Sequence, residues 1–392
     1  MREYFTSNRE RLFEKMEEDS FIIMYSGNEK HKSGDENFPF CVNKNFYYLT
    51  GLDKPEIYLV MTKTQSERKA KIFTPRFEKS AWVTPTYTIK QAQTISGVQD
   101  VEYIDKFEDV IIPDGLEKYT DFKHIELYEK LNNKEAYKDC YLMVAKLRAV
   151  KSDYEIRQIE KAISITRKGL IKLFENFSKC EYEYQAQALF EGEIKYNNSQ
   201  DLAFSTICAS GKNACTLHYS KNTDKLKKGD LLLLDLGAKY NHFSADISRT
   251  IPYRAKFNQT QKMFYNIVLN GQKLGLKLAK PGITIRDINQ ALVEYYFVEL
   301  KKLKMVKTID DVKKYYMHSI GHSLGLDTHD EGLFRDEPLV AGNVITMEPG
   351  LYIPEYNLGI RIEDDVLITE TGNRVLSAKI PKLSYHIETI VK

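Results

Sequence analysis

The sequence predicts a two-domain α/β protein, and three observations lead there. The chain has 392 residues, beyond the roughly 250–300 at which a single hydrophobic core stops growing. Its first third alternates short β-branched and aromatic runs with Gly, Pro, Asp or Lys clusters, the pattern of a small α/β domain. Ser152-Asp153-Tyr154-Glu155 then forms a capping box, in which hydroxyl and carboxylate satisfy each other's orphan backbone amides, and a long helical pattern follows. The boundary is therefore placed near residue 150, with domains at 1–148 and 149–392.

Strands in the first domain are expected at Phe21–Tyr25, Asn45–Thr50, Ile57–Met61 and Lys71–Phe73. After the capping box, Ile156, Ile159, Ile163, Leu170, Leu173 and Phe174 recur at helical spacing and give one apolar face. Helical pattern returns over Tyr182–Ile194, Gln261–Leu278 and Ile285–Leu300. Strands are expected at Leu231–Leu236, Phe243–Thr250, Val344–Glu348 and Gly359–Val366. Lys301-Lys302-Leu303-Lys304 reads as a solvated helix end.

Composition removes several classes of function. Hydrophobic residues make up 42% and charged residues 29%, which is ordinary globular chemistry rather than disorder. Lys+Arg 57 against Asp+Glu 55 leaves +2, so bulk charge points neither to a nucleic-acid partner nor to a membrane surface. Charges interrupt the first ten residues and no run approaches 18 apolar residues, so a cytoplasmic protein is expected. The five cysteines, Cys41, Cys140, Cys180, Cys208 and Cys215, are scattered without a C-x-x-C pair and read as reduced thiols.

Several carboxylates stand where they are costly. Asp235 ends the apolar run Leu231-Leu232-Leu233-Leu234, and a buried carboxylate there needs compensation. A symmetric hairpin turning at Tyr240-Asn241 would set Asp246 directly opposite it, and two opposed carboxylates repel unless a proton or cation lies between them. Glu348 repeats the anomaly at the end of Val344-Ile345-Thr346-Met347, before Pro349-Gly350. Arg361, Glu363 and Asp365 share one strand parity and so line one face. His318, His322 and His329 fall within twelve positions, among small and turn-forming residues that permit close backbone approach. Mixed carboxylates and imidazoles suit Mn²⁺, Co²⁺, Fe²⁺ or Zn²⁺.

Asp235 through Thr250, His318 through Asp330, Ile345-Thr346-Met347-Glu348-Pro349-Gly350 and Gly359-Ile360-Arg361-Ile362-Glu363-Asp364, in this order, resemble the metallopeptidase family that contains aminopeptidase P, prolidase and methionine aminopeptidase. Phe38-Pro39-Phe40 and Asn45-Phe46-Tyr47-Tyr48-Leu49-Thr50-Gly51 resemble the amino-terminal domain of the aminopeptidase P branch, which methionine aminopeptidase lacks. Trp82, the single Trp, stands near where that branch carries a Trp at the mouth of its site.

The resemblance implies a pita-bread catalytic domain behind a smaller creatinase/prolidase-like α/β domain that controls access and substrate length. It implies two divalent metal ions, Mn²⁺ first, with Co²⁺, Zn²⁺ or Fe²⁺ as alternatives. Asp235 would bind one, Asp246 and Glu363 would bridge both, and His322 and Glu348 would complete the second. Glu348 would also be general base, His218 and His329 would stabilise charge at the carbonyl oxygen, and His318 and Arg361 would border a proline pocket. His242 matches no role and reads as surface. The implied reaction is removal of the first residue from peptides with proline second; Xaa-Pro dipeptidase activity, as in prolidase, is the alternative within the family. Homodimers or homotetramers are implied by the family alone.

Two rivals come from other classes. Gly321-His322-Ser323-Leu324-Gly325 fits the nucleophile elbow of α/β hydrolases, with Ser323 as nucleophile, but leads into turn-rich sequence instead of the helix that elbow requires. Non-catalytic peptide-binding relatives typically lose metal ligands, whereas all five are present in this chain.

Overall fold

The structure is a computed structural model and describes residues 2–78 and 85–391. It divides into two compact units, Met1–Arg148 and Ala149–Lys392.

The first unit is built on a six-stranded sheet in the order Asp100–Ile104, Arg68–Pro75, Tyr58–Lys63, Ser20–Tyr25, Glu117–Thr120, Tyr137–Asp139. Only Tyr58–Lys63 runs antiparallel to its neighbours; every other pairing is parallel. Phe21, Ile23, Tyr25, Tyr58, Val60 and Phe73 form its core.

One expected strand is a helix. Lys44–Thr50 is α-helical despite its β-branched and aromatic content. Asn43 caps it by accepting from Phe46 N at 2.7 Å. Gly51 ends it at φ 71°, where a Cβ would lie 2.2 Å from Phe5. Two good caps and burial of all of Asn45–Thr50 override an intrinsic preference worth well under 1 kcal/mol per residue.

The second unit opens with the Asp153–Asn176 helix. Ser152 Oγ accepts from Glu155 N, and Glu155 Oε2 accepts from Ser152 N at 2.8 Å, so the capping box forms as the local sequence requires. Gly169 lets the Glu183–Tyr196 helix pack close, since a Cβ there would meet Phe190 at 2.6 Å and Ile194 at 2.7 Å. Every strand pairing in this unit is antiparallel among the described residues. Leu231–Leu236 lies between Ile207–Ser210 and Ile247–Pro252; Asp364–Ile368 lies between Val344–Met347 and Asn373–Val375. No helix among the described residues is long and apolar enough to cross a membrane.

Two details correct the expected strands. Asp235 faces Ser248 rather than Asp246, and Tyr240 faces Phe243. The turn is therefore Asn241-His242, one position later than expected, with φ 46° and 68°, as a type I′ turn demands. Asp246 sits two residues from the direct partner position, still on the same face, where the strand breaks at Ala245-Asp246. Gly237 permits the pinch at that break, because a Cβ there would lie 1.8 Å from Ala245 O.

Gly359–Val366 is likewise not one strand. Leu358–Arg361 pairs with Gly350–Ile353 and Asp364–Ile368 with Val344–Met347, so the chain changes sheets at Ile362-Glu363. The common face expected for Arg361, Glu363 and Asp365 does not form. Asp365 turns instead to the backbone, accepting from Asp246 N at 3.2 Å, and its Oδ1 is buried without a hydrogen bond.

Candidate metal centre

One cavity is lined by Asp235, Asp246, Glu348 and Glu363, by His218, His318, His322 and His329, and by Arg361, together with Arg335. Four places where strands end or break converge to build it. Asp235 comes from the central Leu231–Leu236 strand, Asp246 from the break before Ile247, Glu348 from just past Met347, and Glu363 from the crossover. The histidine loop is clamped to the Glu348 strand: Thr346 N donates to His322 O (2.9 Å), Glu348 N to Ile320 O (2.8 Å) and His322 N to Thr346 Oγ1 (3.0 Å).

Donor atoms of Asp246, His322 and Glu363 all lie within 4.8 Å of one another. His322 Nδ1 lies 3.0 Å from Ser323 O and so carries a proton, and its Nε2 turns to the acids, 3.5 Å from Asp246 Oδ2 and 3.4 Å from Glu348 Oε1. Asp235 stands apart from this group. Its Oδ2 accepts from Arg361 Nη2 at 2.7 Å and its Oδ1 lies 2.9 Å from Ser248 Oγ.

Electrostatics favour a cation here. Burial first, and then the neighbouring carboxylates, push Asp246 and Glu363 well above the usual carboxylate range. Burial also raises Glu348, opposed by His322 and Arg361. Among the described residues, Arg361 is the one permanent cation bonded within this acid group, too little charge for four carboxylates. The donor set of acids plus an imidazole nitrogen turned toward them fits a divalent first-row ion.

His318 belongs to a polar chain beside the acids. Its Nδ1 lies 2.7 Å from Ser319 O and its Nε2 2.9 Å from Tyr352 Oη, which in turn accepts from Arg361 Nη1 at 2.7 Å. Burial and then Arg361 lower His318 to about 4, so it is neutral at pH 7, with Nδ1 as donor and Nε2 as acceptor. Burial, then His322 and His218, lower His329 to about 4 as well.

Several participants escaped sequence reasoning. Ser248 Oγ accepts from Arg361 Nε at 2.8 Å and contacts both Asp235 and Glu363 (2.7 Å); a turn placed at Asn241-His242 would have revealed it. Tyr352 and Arg335 carried no local signal. Nor did Glu183, a fully buried carboxylate that accepts from Ser210 N, Ser210 Oγ, Asn213 Nδ2, Tyr219 Oη and Asp224 N and so tethers the loop bearing His218. His242 lies at the hairpin turn beside Gln200, outside the cavity. Ser323 is buried with no helix directly after it, unlike a nucleophile elbow. Trp82 lies outside the described residues.

Residues 157–370 match the model of metallopeptidase family M24, and residues 5–120 match that of the aminopeptidase P N-terminal domain. The chain belongs to metallopeptidase family M24.

Its M24 relatives match end to end. A Xaa-Pro aminopeptidase of Haemophilus influenzae is 32% identical, over 100% of this chain and 97% of its own length. The Xaa-Pro aminopeptidase of Escherichia coli is 30% identical, over 100% and 98%. The solved structure of E. coli aminopeptidase P with the inhibitor Pro-Leu superposes with TM-score 0.92 at 30% identity, covering 100% of this chain and 98% of that one. A zinc-substituted form of that enzyme with product gives 0.91 at 29% identity, with the same coverage. The two-domain M24 architecture, with the pita-bread domain second, is that of this chain.

Proposed function

We propose that this M24 member is a metal-dependent Xaa-Pro aminopeptidase, releasing the first residue from peptides whose second residue is proline. The carrying observation is the juxtaposition of a buried acid and imidazole cluster with the neutral His318–Tyr352–Arg361 chain in one cavity. Full-length similarity to Xaa-Pro aminopeptidases supports the same reading.

Asp235, Asp246, His322, Glu348 and Glu363 are the residues we assign to hold two divalent ions, with Mn²⁺ first. Bound there, such ions would supply a Lewis acid for the scissile carbonyl and a water acidified toward neutral pH. Glu348 receives the proton of the attacking water and delivers it to the departing proline nitrogen. His329, uncharged at pH 7, presents an N–H to the carbonyl oxygen as charge develops, and His218 faces the same cavity. His318 and Arg361 border the proline pocket.

The N-terminal unit is assigned to access and substrate length, on its match to the aminopeptidase P N-terminal domain. The five cysteines are free, as suits a reducing cytoplasm. A homodimer or homotetramer is proposed from the family alone.

Two measurements test this reading. The protein should cleave Xaa-Pro-Yaa-Zaa peptides in preference to Xaa-Pro dipeptides; the reverse preference would make it a prolidase. Glu348→Gln should lower kcat by about 10²–10⁴-fold, and near-parental turnover in protein free of other peptidases would remove Glu348 from the mechanism.

A further inference from the structure

The segment that opens the catalytic unit runs beside the strand that ends at Glu348. Asn343 Nδ2 donates to Ala149 O at 2.9 Å, and Lys151 N to Gly342 O at 2.8 Å. From this anchored backbone the Lys151 side chain turns inward. Its Nζ lies 3.0 Å from Asp330 Oδ2 and 3.3 Å from Ser323 Oγ, and the Lys151 and Asp330 side chains are each only 1% exposed.

The two partners of that ammonium are the residues directly after the two histidines, Ser323 after His322 and Asp330 after His329. Asp330 N donates to Ser323 O at 2.8 Å, the same carbonyl that His322 Nδ1 addresses. The rings of His322 and His329 lie with centroids 4.0 Å apart. The loop has no slack, since a Cβ at Gly325 would fall 2.2 Å from Asp330 Oδ2.

Dehydrating an ammonium and a carboxylate this completely is costly, and apolar residues of similar volume often replace such a pair without loss of stability. Stability alone is therefore a weak reason for the pair. We propose that Lys151 and Asp330 are positioning residues. Their buried ion pair, acting through Ser323, holds His322 and His329 in register with each other and with the Glu348 strand, so that His322 Nε2 faces Asp246 and Glu348. This rests on the metal-site reading of the cavity.

The test uses metal-free full-length protein titrated with Co²⁺, followed by calorimetry and by the visible absorption of bound Co²⁺, alongside melting and steady-state kinetics. The double variant K151M/D330L removes both charges at similar volume. Expected are a Tm close to the parent, Co²⁺ affinity weakened about 10–100-fold with an altered absorption spectrum, and a fall in kcat with KM little changed. A folded double variant with parental affinity, spectrum and kcat overturns the proposal. Ser323→Ala leaves the ion pair and deletes one hydroxyl, so it decides the matter even if the double variant does not fold. It should melt like the parent and bind Co²⁺ several-fold more weakly; parental Co²⁺ affinity and kcat in Ser323→Ala overturn the proposal. A parent that binds no Co²⁺ overturns the metal-site reading itself, a failure distinct from that of the positioning role.

Discussion

Tyr352 joins two parts of the site through one oxygen, accepting from Arg361 Nη1 and reaching His318 Nε2. Burial raises its pKa to about 12, so the phenol keeps its proton at any working pH and can donate it to the imidazole. Tyr352→Phe preserves the ring and cuts both links, leaving Arg361 Nη1 buried without this acceptor. A lost buried hydrogen bond of this kind costs about 1–3 kcal/mol. We expect kcat/KM on Xaa-Pro-Yaa peptides to fall roughly tenfold or more, with bound metal per chain unchanged by elemental analysis. Unchanged kcat/KM would mean that ring packing alone positions His318. Asp235 and Glu348 were legible in the sequence because a charge at the end of an apolar run is an anomaly on its face, and His318, His322 and His329 because three imidazoles crowd into twelve positions. Tyr352, Ser248 and Arg335 were not, because a tyrosine, serine or arginine in such places is ordinary until its partner is known.

Local rules decided some elements and lost others. The Ser152 capping box needs only four consecutive residues, so it was readable and formed. Ser152→Ala should lower stability by about 1 kcal/mol, visible as a lower denaturant midpoint, while turnover of the folded protein stays near parental. No change in midpoint would show that contacts of Ser152 with Glu155 add nothing beyond water. Lys44–Thr50 shows the opposite case, where caps and burial on every side overrule β-forming side chains. The hairpin failed by one residue. Asn241 and His242 both adopt positive φ, which is uncommon for any residue but glycine, even though Asn and His reach it more often than most. A one-residue error in the turn moves the cross-strand partner by two, which is why Ser248 replaced Asp246 opposite Asp235.

Cations should act on the catalytic unit, and acid on both units, since buried histidines with lowered pKa lie in each. In the catalytic unit, burial and mutual repulsion raise Asp246 and Glu363, so cations that bind only the folded state should stabilise it by about 2.7 kcal/mol at a hundredfold excess over Kd. EDTA should therefore abolish activity and lower that unit's calorimetric transition, with both restored by Mn²⁺; activity resistant to chelation would refute metal dependence. In the N-terminal unit the group concerned is His124, which burial holds below its ordinary value of 6.5 and whose Nδ1 is buried without a hydrogen bond. As pH falls through 6.5 the unfolded chain takes up the proton first, so stability is lost from there down to the lower folded value and is unaffected well above it. Melting this unit at pH 7.5 and 5.5 should show the loss, and His124→Gln should reduce it; an equal loss in the variant would place the effect elsewhere. By itself the sequence determined that there are two domains and the family, and it pointed to an acid and imidazole set suited to cations. Periodicity, capping and charge at the end of an apolar run are local or ordered along the chain, and they survive without a fold. Only the tertiary structure decided which oxygen meets which donor. The Arg361–Asp235 pair, the Arg361–Tyr352 link and the buried Lys151–Asp330 tie join residues 126, 9 and 179 positions apart, and such pairings depend on how sheets end and cross rather than on any pattern within one segment.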